Sequence, residues 1–143
     1  MPNRILRDVV REQRPVVVNP DVTVAEAAQL LEQAKDGAAV VTDGGKPVGI
    51  FTERDCLYRV AGAGKNPAEV TVGEVMTPKP CCVRAHRPFS DALYQMQHNG
   101  FRHLPVLEGN KIIGVVTHKH MFGSDLMQYE QQEVERDHVV QIL

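Results

Sequence analysis

Thr52 and Asp55 stand three residues apart, directly after the run Gly49-Ile50-Phe51. A hydroxyl and a carboxylate at that spacing support two kinds of chemistry. In one, both serve the backbone: the threonine caps a helix start and the acid sits in its first turn, together worth roughly 1 kcal/mol. In the other they face a ligand. A first-turn carboxylate accepts two hydrogen bonds from vicinal hydroxyls, and the hydroxyl and exposed first-turn N–H groups favour an anion. Ribose with a phosphate beside it fits that second arrangement. The pattern returns as Gly114-Val115-Val116-Thr117-His118-Lys119-His120, with histidine in place of the aspartate. A neutral imidazole offers one acceptor and a protonated one offers none, so His120 cannot hold a diol as a carboxylate does.

The elements that must position these corners come in two copies. At an offset of 65 residues, with no gap, Pro15/Pro80, Val18/Val83, Ala27/Ala92, Val41/Val106, Gly44/Gly109, Lys46/Lys111, Gly49/Gly114 and Thr52/Thr117 are identical. In the first copy, residues 5–12 read as a short helix with Ile5, Val9 and Leu6 inward. Val16–Val18 reads as a buried strand. Thr23-Val24-Ala25-Glu26 is a capping box. Behind it Val24, Ala27, Ala28, Leu30, Leu31 and Ala34 keep helical spacing up to Gly37, the expected C′ residue. Residues 38–42 and 47–51 read as strands joined by a hairpin at Asp43-Gly44-Gly45-Lys46, and a helix from Thr52 stops at Ala61-Gly62-Ala63-Gly64. The second copy repeats this order. Cys81-Cys82-Val83 is its first strand, Phe89, Ala92, Leu93 and Met96 its helix face, and residues 103–107 and 112–116 its hairpin. Each copy is strand–helix–strand–strand–helix behind a short helix, which makes the chain α/β. At about 60 residues a copy is marginal alone, so the two are expected to bury their sheets against each other around a pseudo-twofold axis.

Composition narrows the function classes. A net charge of −2 and an aromatic content of 5% without tryptophan give no case for nucleic acid and no base-stacking platform. No apolar run approaches the ~18 residues that span a membrane. Met1-Pro2-Asn3-Arg4 leads into charged sequence, which reads as no signal peptide. The cysteines, Cys56, Cys81 and Cys82, are odd in number and two are adjacent, which fits reduced thiols in a cytoplasm. Ser90 and Ser124 are the only serines, and neither sits in a nucleophile elbow. No Cys–His pair is implied, so an enzyme is not expected. His98, His103, His118 and His120 lack the converging set a metal needs and read as surface or phosphate-facing residues. Residues 124–143 hold five carboxylates against Arg136 alone and end in Val139-Val140-Gln141-Ile142-Leu143. They read as an acidic helical tail whose apolar end suits a partner chain.

Two copies ending in Gly–apolar–apolar–Thr–x–x–(Asp), the lead-in Val72-Gly73-Glu74-Val75-Met76-Thr77-Pro78, and the run Arg102-His103-Leu104-Pro105-Val106 together resemble a tandem CBS-domain pair. The resemblance runs from Ile5 to Phe122. It implies two β-α-β-β-α repeats with sheets face to face and helices outside, divided as 1–65, 66–122 and a helical tail 123–143. It implies a stand-alone regulatory module binding an adenosine-containing ligand (AMP, ADP, ATP, S-adenosylmethionine or NAD) between the copies, often as a homodimer that signals to a separate protein. The family pattern puts Asp55 on the ribose hydroxyls, Thr52 on the ribose or α-phosphate, and Ile50 beside the adenine. Arg102, His103 and Lys119 occupy the positions that meet the phosphate from the other copy. Thr117 and His120 would make a weaker second site. The alternative is a ligand-independent dimerisation or protein-interaction scaffold. A metal- or redox-responsive regulator built on the histidines and cysteines is a third reading.

Overall fold

The computed structural model describes residues 4–120. The chain opens with a one-turn helix, α1 (Leu6–Val9), and a short strand, β1 (Val16–Val18). Helix α2 (Val24–Ala34) begins at the Thr23–Glu26 capping box, with both reciprocal hydrogen bonds formed. Its C-terminal left-handed residue is Lys35, at φ 53°, rather than Gly37. Gly37 instead ties the start of the next strand to the start of α3, its carbonyl accepting the Glu53 N–H at 3.0 Å. Strands β2 (Ala38–Asp43) and β3 (Lys46–Thr52) form the hairpin. Gly44 and Gly45 supply the two positive φ values its turn demands, 58° and 81°. Helix α3 (Glu53–Asp55) continues as a π-helical stretch over Cys56–Ala61.

The second half follows the same plan. Helix α4 (Val72–Val75), capped by Thr71 and Glu74, leads into β4 (Thr77–Pro78), β5 (Val83–Arg84), α5 (Phe89–Asn99), β6 (Leu104–Glu108) and β7 (Lys111–Val116). Gly100, at φ 71°, ends α5 as its spacing predicts. A 3₁₀ turn lies at His118–His120; the rest of the expected closing helix and the tail fall outside the described residues. Cys81 and Cys82 precede β5 instead of forming it, because the pairing with β6 begins at Val83. Both thiols are half-buried, and burial pushes both up from the usual thiol range.

The strands make a four-stranded sheet, β1-β2-β3-β4, and a three-stranded sheet, β5-β6-β7. In each, the first pair is parallel and the hairpin antiparallel. The two sheets meet through Val40, Ile112 and Val115, with Leu107 against them. Helices cover the outer faces. One core gathers Val24, Ala27, Leu31, Val41 and Phe51, and the other Ala92, Leu93, Met96, Leu104 and Phe89. Strand β2 is buried on both faces over Ala38–Val41, which is why it reads as an unbroken apolar run rather than an alternation. Phe51 and Phe89 are fully enclosed, and truncating either to alanine is expected to cost roughly 3–5 kcal/mol.

The short lead-in segments cross over. The first copy's helix α1 packs on the second core through Leu6, with Val9 and the following Val10 beside it; of the expected inward residues Leu6 and Val9 take that place, whereas Ile5 bridges to Pro88. Its backbone is tied there by Leu6 N–H to Arg87 O (2.9 Å) and Arg7 N–H to Ala85 O (2.8 Å). The second copy's helix α4 packs on the first core through Val72 and Val75, with Val72 N–H bonded to Val22 O (2.9 Å) and Gly73 N–H to Pro20 O (2.9 Å). Strand β4 then pairs with β3, Gly49 opposite Pro78 and Ile50 opposite Thr77. The repeated strand glycines make room for this exchange. A β-carbon on Gly49 would press on Met76 and on the Thr77 carbonyl, and one on Gly114 would meet Val10 Cβ at 2.5 Å.

Candidate functional site

Both Thr–x–x corners sit where a buried strand turns into a helix beside the seam between the halves. At the first, the cap is fully formed. Thr52 Oγ1 accepts the Asp55 N–H (3.2 Å) and Asp55 Oδ2 accepts the Thr52 N–H (3.1 Å). The Asp55 carboxylate is only 6% exposed. Its Oδ1 accepts from the Thr77 hydroxyl at 3.1 Å, and Arg59 Nε lies 3.7 Å from the same oxygen. Arg59 is itself held by the Val75 and Met76 carbonyls (3.3 and 3.0 Å). A carboxylate has about four acceptor positions, so the cap and Thr77 leave lone pairs for a further donor. Capping and ligand binding are therefore compatible uses of one side chain.

A cavity of about 660 Å³ opens at this corner. Ile50, Thr52, Glu53, Arg54, Asp55, Tyr58, Arg59 and Thr77 line it from the first copy and its exchanged lead-in, and Gly100, Phe101, Arg102 and His103 from the second. Five of the residues picked from sequence, Ile50, Thr52, Asp55, Arg102 and His103, thus meet in one space. Lys119 is not among them. It lines a second cavity, also about 660 Å³, with Thr117, His118 and His120. The two cavities share Gly37, Glu53, Gly100, Phe101, Arg102 and His103 as a common wall.

Electrostatics distinguish the wall residues. Burial lowers the His103 imidazole below its ordinary pKa, Lys119 and Arg102 add to that, and Asp36 and Glu53 pull the other way. His103 is therefore a neutral hydrogen-bonding ring near pH 7, and Arg102 supplies the full positive charge on the shared wall. Sequence reasoning missed Thr77 and Arg59, the two side chains that touch Asp55. Arg59 had a signal, since it lies four residues beyond Asp55 on the same helix. Thr77 had none, because only the crossover of the lead-in brings it there.

The second corner preserves the cap with different chemistry. His120 Nδ1 accepts the Thr117 N–H at 3.0 Å, where Asp55 accepts that of Thr52. Here a glutamine takes the place of β4: Gln13 Oε1 accepts the Val115 N–H (2.8 Å) and its Nε2 donates to the Val115 carbonyl (3.0 Å). The same Nε2 lies 3.1 Å from His120 Nε2. The His120 pKa is lowered, first by burial and then by Lys119 and Arg4. Among the described residues, no three His, Cys, Asp or Glu side chains are grouped to hold a metal ion, and no helix is long and apolar enough to cross a membrane.

Known proteins share this arrangement. The CBS domain family model matches twice, over residues 6–62 and 72–125. Meiotically up-regulated gene 70 protein of Schizosaccharomyces pombe is 35% identical over 85% of the chain. An uncharacterised 17.7 kDa protein of Acidianus ambivalens is 40% identical over 71% of it. The chain spans 17% of the first of these proteins and 61% of the second. Among solved structures, the CBS-domain containing protein ATU1752 of Agrobacterium tumefaciens superposes with a TM-score of 0.71 at 33% identity, covering 82% of this chain and 95% of that one. The CBS domain protein PAE2072 of Pyrobaculum aerophilum, complexed with AMP, gives 0.79 at 21% identity, covering 90% and 99%. The CBS domain pair of protein MJ0100, in complex with 5′-methylthioadenosine and S-adenosyl-L-methionine, gives 0.72 at 22%, covering 92% and 99%. Two β-α-β-β-α copies with exchanged lead-ins, and a family model that matches each copy, establish that this chain belongs to the CBS domain family as a tandem pair.

Proposed function

We propose that the chain is a regulatory module that binds an adenosine-containing ligand in the cavity around Thr52 and Asp55 and passes its occupancy to a partner protein. The observation that carries this reading is the Asp55 carboxylate, nearly buried, held by Thr52, Thr77 and Arg59, and lining a cavity whose far wall carries Arg102. A fixed carboxylate receives a ribose diol without reorganising, and Arg102 meets a phosphate group at the other end. Ile50 supplies apolar surface for the base. The PAE2072 and MJ0100 structures hold adenosine compounds on the same fold, which supports the ligand class. AMP, ADP, ATP, S-adenosylmethionine and NAD are the candidates.

The module acts without a reaction of its own, and the ligand works by joining segments about 65 residues apart. At a hundredfold excess over Kd such a ligand adds roughly 2.7 kcal/mol of stability. Signalling requires a ligand that binds one arrangement of the module better than another. Leu30 on α2 and Leu57 on the π-helical stretch are 43% and 59% exposed, which supports pairing with a second copy. The division 1–65, 66–122 and tail 123–143, and a cytoplasmic setting, belong to this reading.

A thermal-shift screen against AMP, ATP, S-adenosylmethionine and NADH tests it, followed by titration of the Asp55→Ala variant. A shift with one of them, and at least an approximately tenfold loss of affinity in the variant, is expected. No shift with any of them would leave the ligand-independent scaffold, which pull-downs with and without nucleotide would then identify.

A further inference from the structure

Cys81 and Cys82 stand next to each other on the connector between β4 and β5, and the cavities at the two corners use neither. Both are free thiols and both are half-buried. Cys81 packs beside the second core, and its Sγ lies 3.9 Å from Gln95 Oε1. Cys82 Sγ lies 3.9 Å from the Pro80 carbonyl. A cavity of about 340 Å³ opens beside them, with Cys82, Tyr94 and Gln95 among its walls. Gln95 is common to both places: it accepts from Cys81 and shares a cavity with Cys82. An S–H is a weak donor, so little is lost when a bond to sulfur replaces these contacts.

Three kinds of thiol chemistry compete for such a pair. A direct disulfide must close across neighbouring residues whose Cα atoms are about 3.8 Å apart, below the roughly 4.4–6.8 Å span of relaxed disulfides. A structural zinc ion takes four ligands, and among the described residues no three His, Cys, Asp or Glu side chains are grouped to supply them. Burial pushes both thiols up; at Cys82 the neighbouring Cys81 adds to that and Arg84 pulls the other way. Near pH 7 the pair is therefore two neutral S–H groups rather than the two thiolates a metal ion demands. A trivalent arsenical meets all three constraints. It consumes S–H groups without needing their charge, and it asks for two sulfurs. It also sets one large atom between them, so the ring closes without the short span of a disulfide.

We infer that Cys81 and Cys82 form a dithiol site for a trivalent arsenical, R–As(OH)₂, whose substituent R lies in the cavity beside Cys82 and Tyr94. Two As–O bonds break and two As–S bonds form. Each hydroxide leaves with one thiol proton as water, and neither arsenic nor sulfur changes oxidation state. The second As–S bond forms within the chain, so the pair holds the arsenical far more firmly than one thiol does. The site stands apart from the cavity at Asp55 and does not rest on the function proposed above.

Phenylarsine oxide, which hydrates to the form with R a phenyl group, is the probe. The reduced whole chain is mixed with an equimolar amount, and intact mass and free thiols are measured. The expected product carries a single phenylarsenic group, and the thiols that react with iodoacetamide fall from three to one, the survivor mapping to Cys56. Excess 2-mercaptoethanol should leave the adduct in place, whereas 1,2-ethanedithiol should remove it. Cys81→Ser and Cys82→Ser should each weaken capture at least about a hundredfold, and Cys56→Ser should capture as the natural chain does. Melting curves identify a variant that fails to fold, and the thiol map of the natural chain decides the matter without it. No adduct, an adduct that consumes Cys56, ready removal by the monothiol, or a smaller loss in either folded single variant overturns the inference.

Discussion

A single carboxylate does two jobs at Asp55, and substitutions separate them. Asp55→Asn keeps an oxygen for the Thr52 N–H and should unfold within a few tenths of a kcal/mol of the natural chain. Asp55→Ala loses the carboxylate's bonds to the Thr52 N–H and the Thr77 hydroxyl but keeps the Thr52 Oγ1 bond to the residue 55 N–H, at a cost of roughly 1–2 kcal/mol. Both should lose the adenosine ligand, so denaturant midpoints and binding titrations on the pair will diverge. Equal losses of stability would mean that Oδ2 contributes nothing as a cap. The two lowered histidines give a pH signature. His103 and His120 have folded pKa values below the ordinary 6.5, so the unfolded chain binds more protons in the window beneath 6.5. Stability is therefore full above that value and lost as pH falls through the folded pKa values. The melting temperature should drop between pH 7.5 and 5.5, and His120→Asn should reduce the drop. A melting temperature that rises on acidification would contradict the burial of both rings.

Elements were legible where their signals are local. The Thr23–Glu26 box, the α5 face at Phe89, Ala92, Leu93 and Met96, and the Gly44-Gly45 turn each lie within a few residues and appear as the spacing predicts. Spacing misleads where a distant segment decides the outcome. Gly37 has the position of a helix terminator, yet Lys35 takes the left-handed turn and the Gly37 carbonyl accepts the Glu53 N–H. Cys81 and Cys82 have the pattern of strand residues, yet the pairing with β6 begins only at Val83. The site divides in the same way. Ile50, Thr52, Asp55, Arg102 and His103 converge, whereas Lys119 belongs to the neighbouring cavity. Gln13 carried no motif at all. Gly114→Ala tests the packing of α1 at this scale. Its β-carbon would reach Val10 Cβ at 2.5 Å, and a β-branched side chain held by backbone bonds cannot swing away. A loss of about 1–3 kcal/mol in denaturant unfolding is expected. A neutral result would show that α1 is loosely seated.

At the scale of the molecule, the crossed lead-ins decide which parts unfold together. Leu6 and Val10 complete the second core although they begin the chain. Removing residues 1–13 should therefore expose amides of α5 and β6 to hydrogen exchange, while α2 and β2, whose residues build the first core, stay better protected. Uniform loss of protection, or loss centred on α2, would contradict the exchange. The repeat offset announces that two copies exist. It does not announce which copy each lead-in serves, because pairing across 65 residues leaves no trace in local spacing.

The crossover also bears on how one copy would behave by itself. Each copy presents a glycine-floored groove that its own lead-in does not fill, and each carries a lead-in seated in the groove of the other. A lone copy would thus have one vacancy and one unplaced arm. Two such copies satisfy each other by trading arms, which is domain swapping. The tandem chain is that swapped pair with a covalent connector through residues 62–70, and the connector turns a concentration-dependent association into a permanent one. An isolated half, expressed from either side of Lys65, should accordingly be found as an exchanged dimer rather than as a folded monomer.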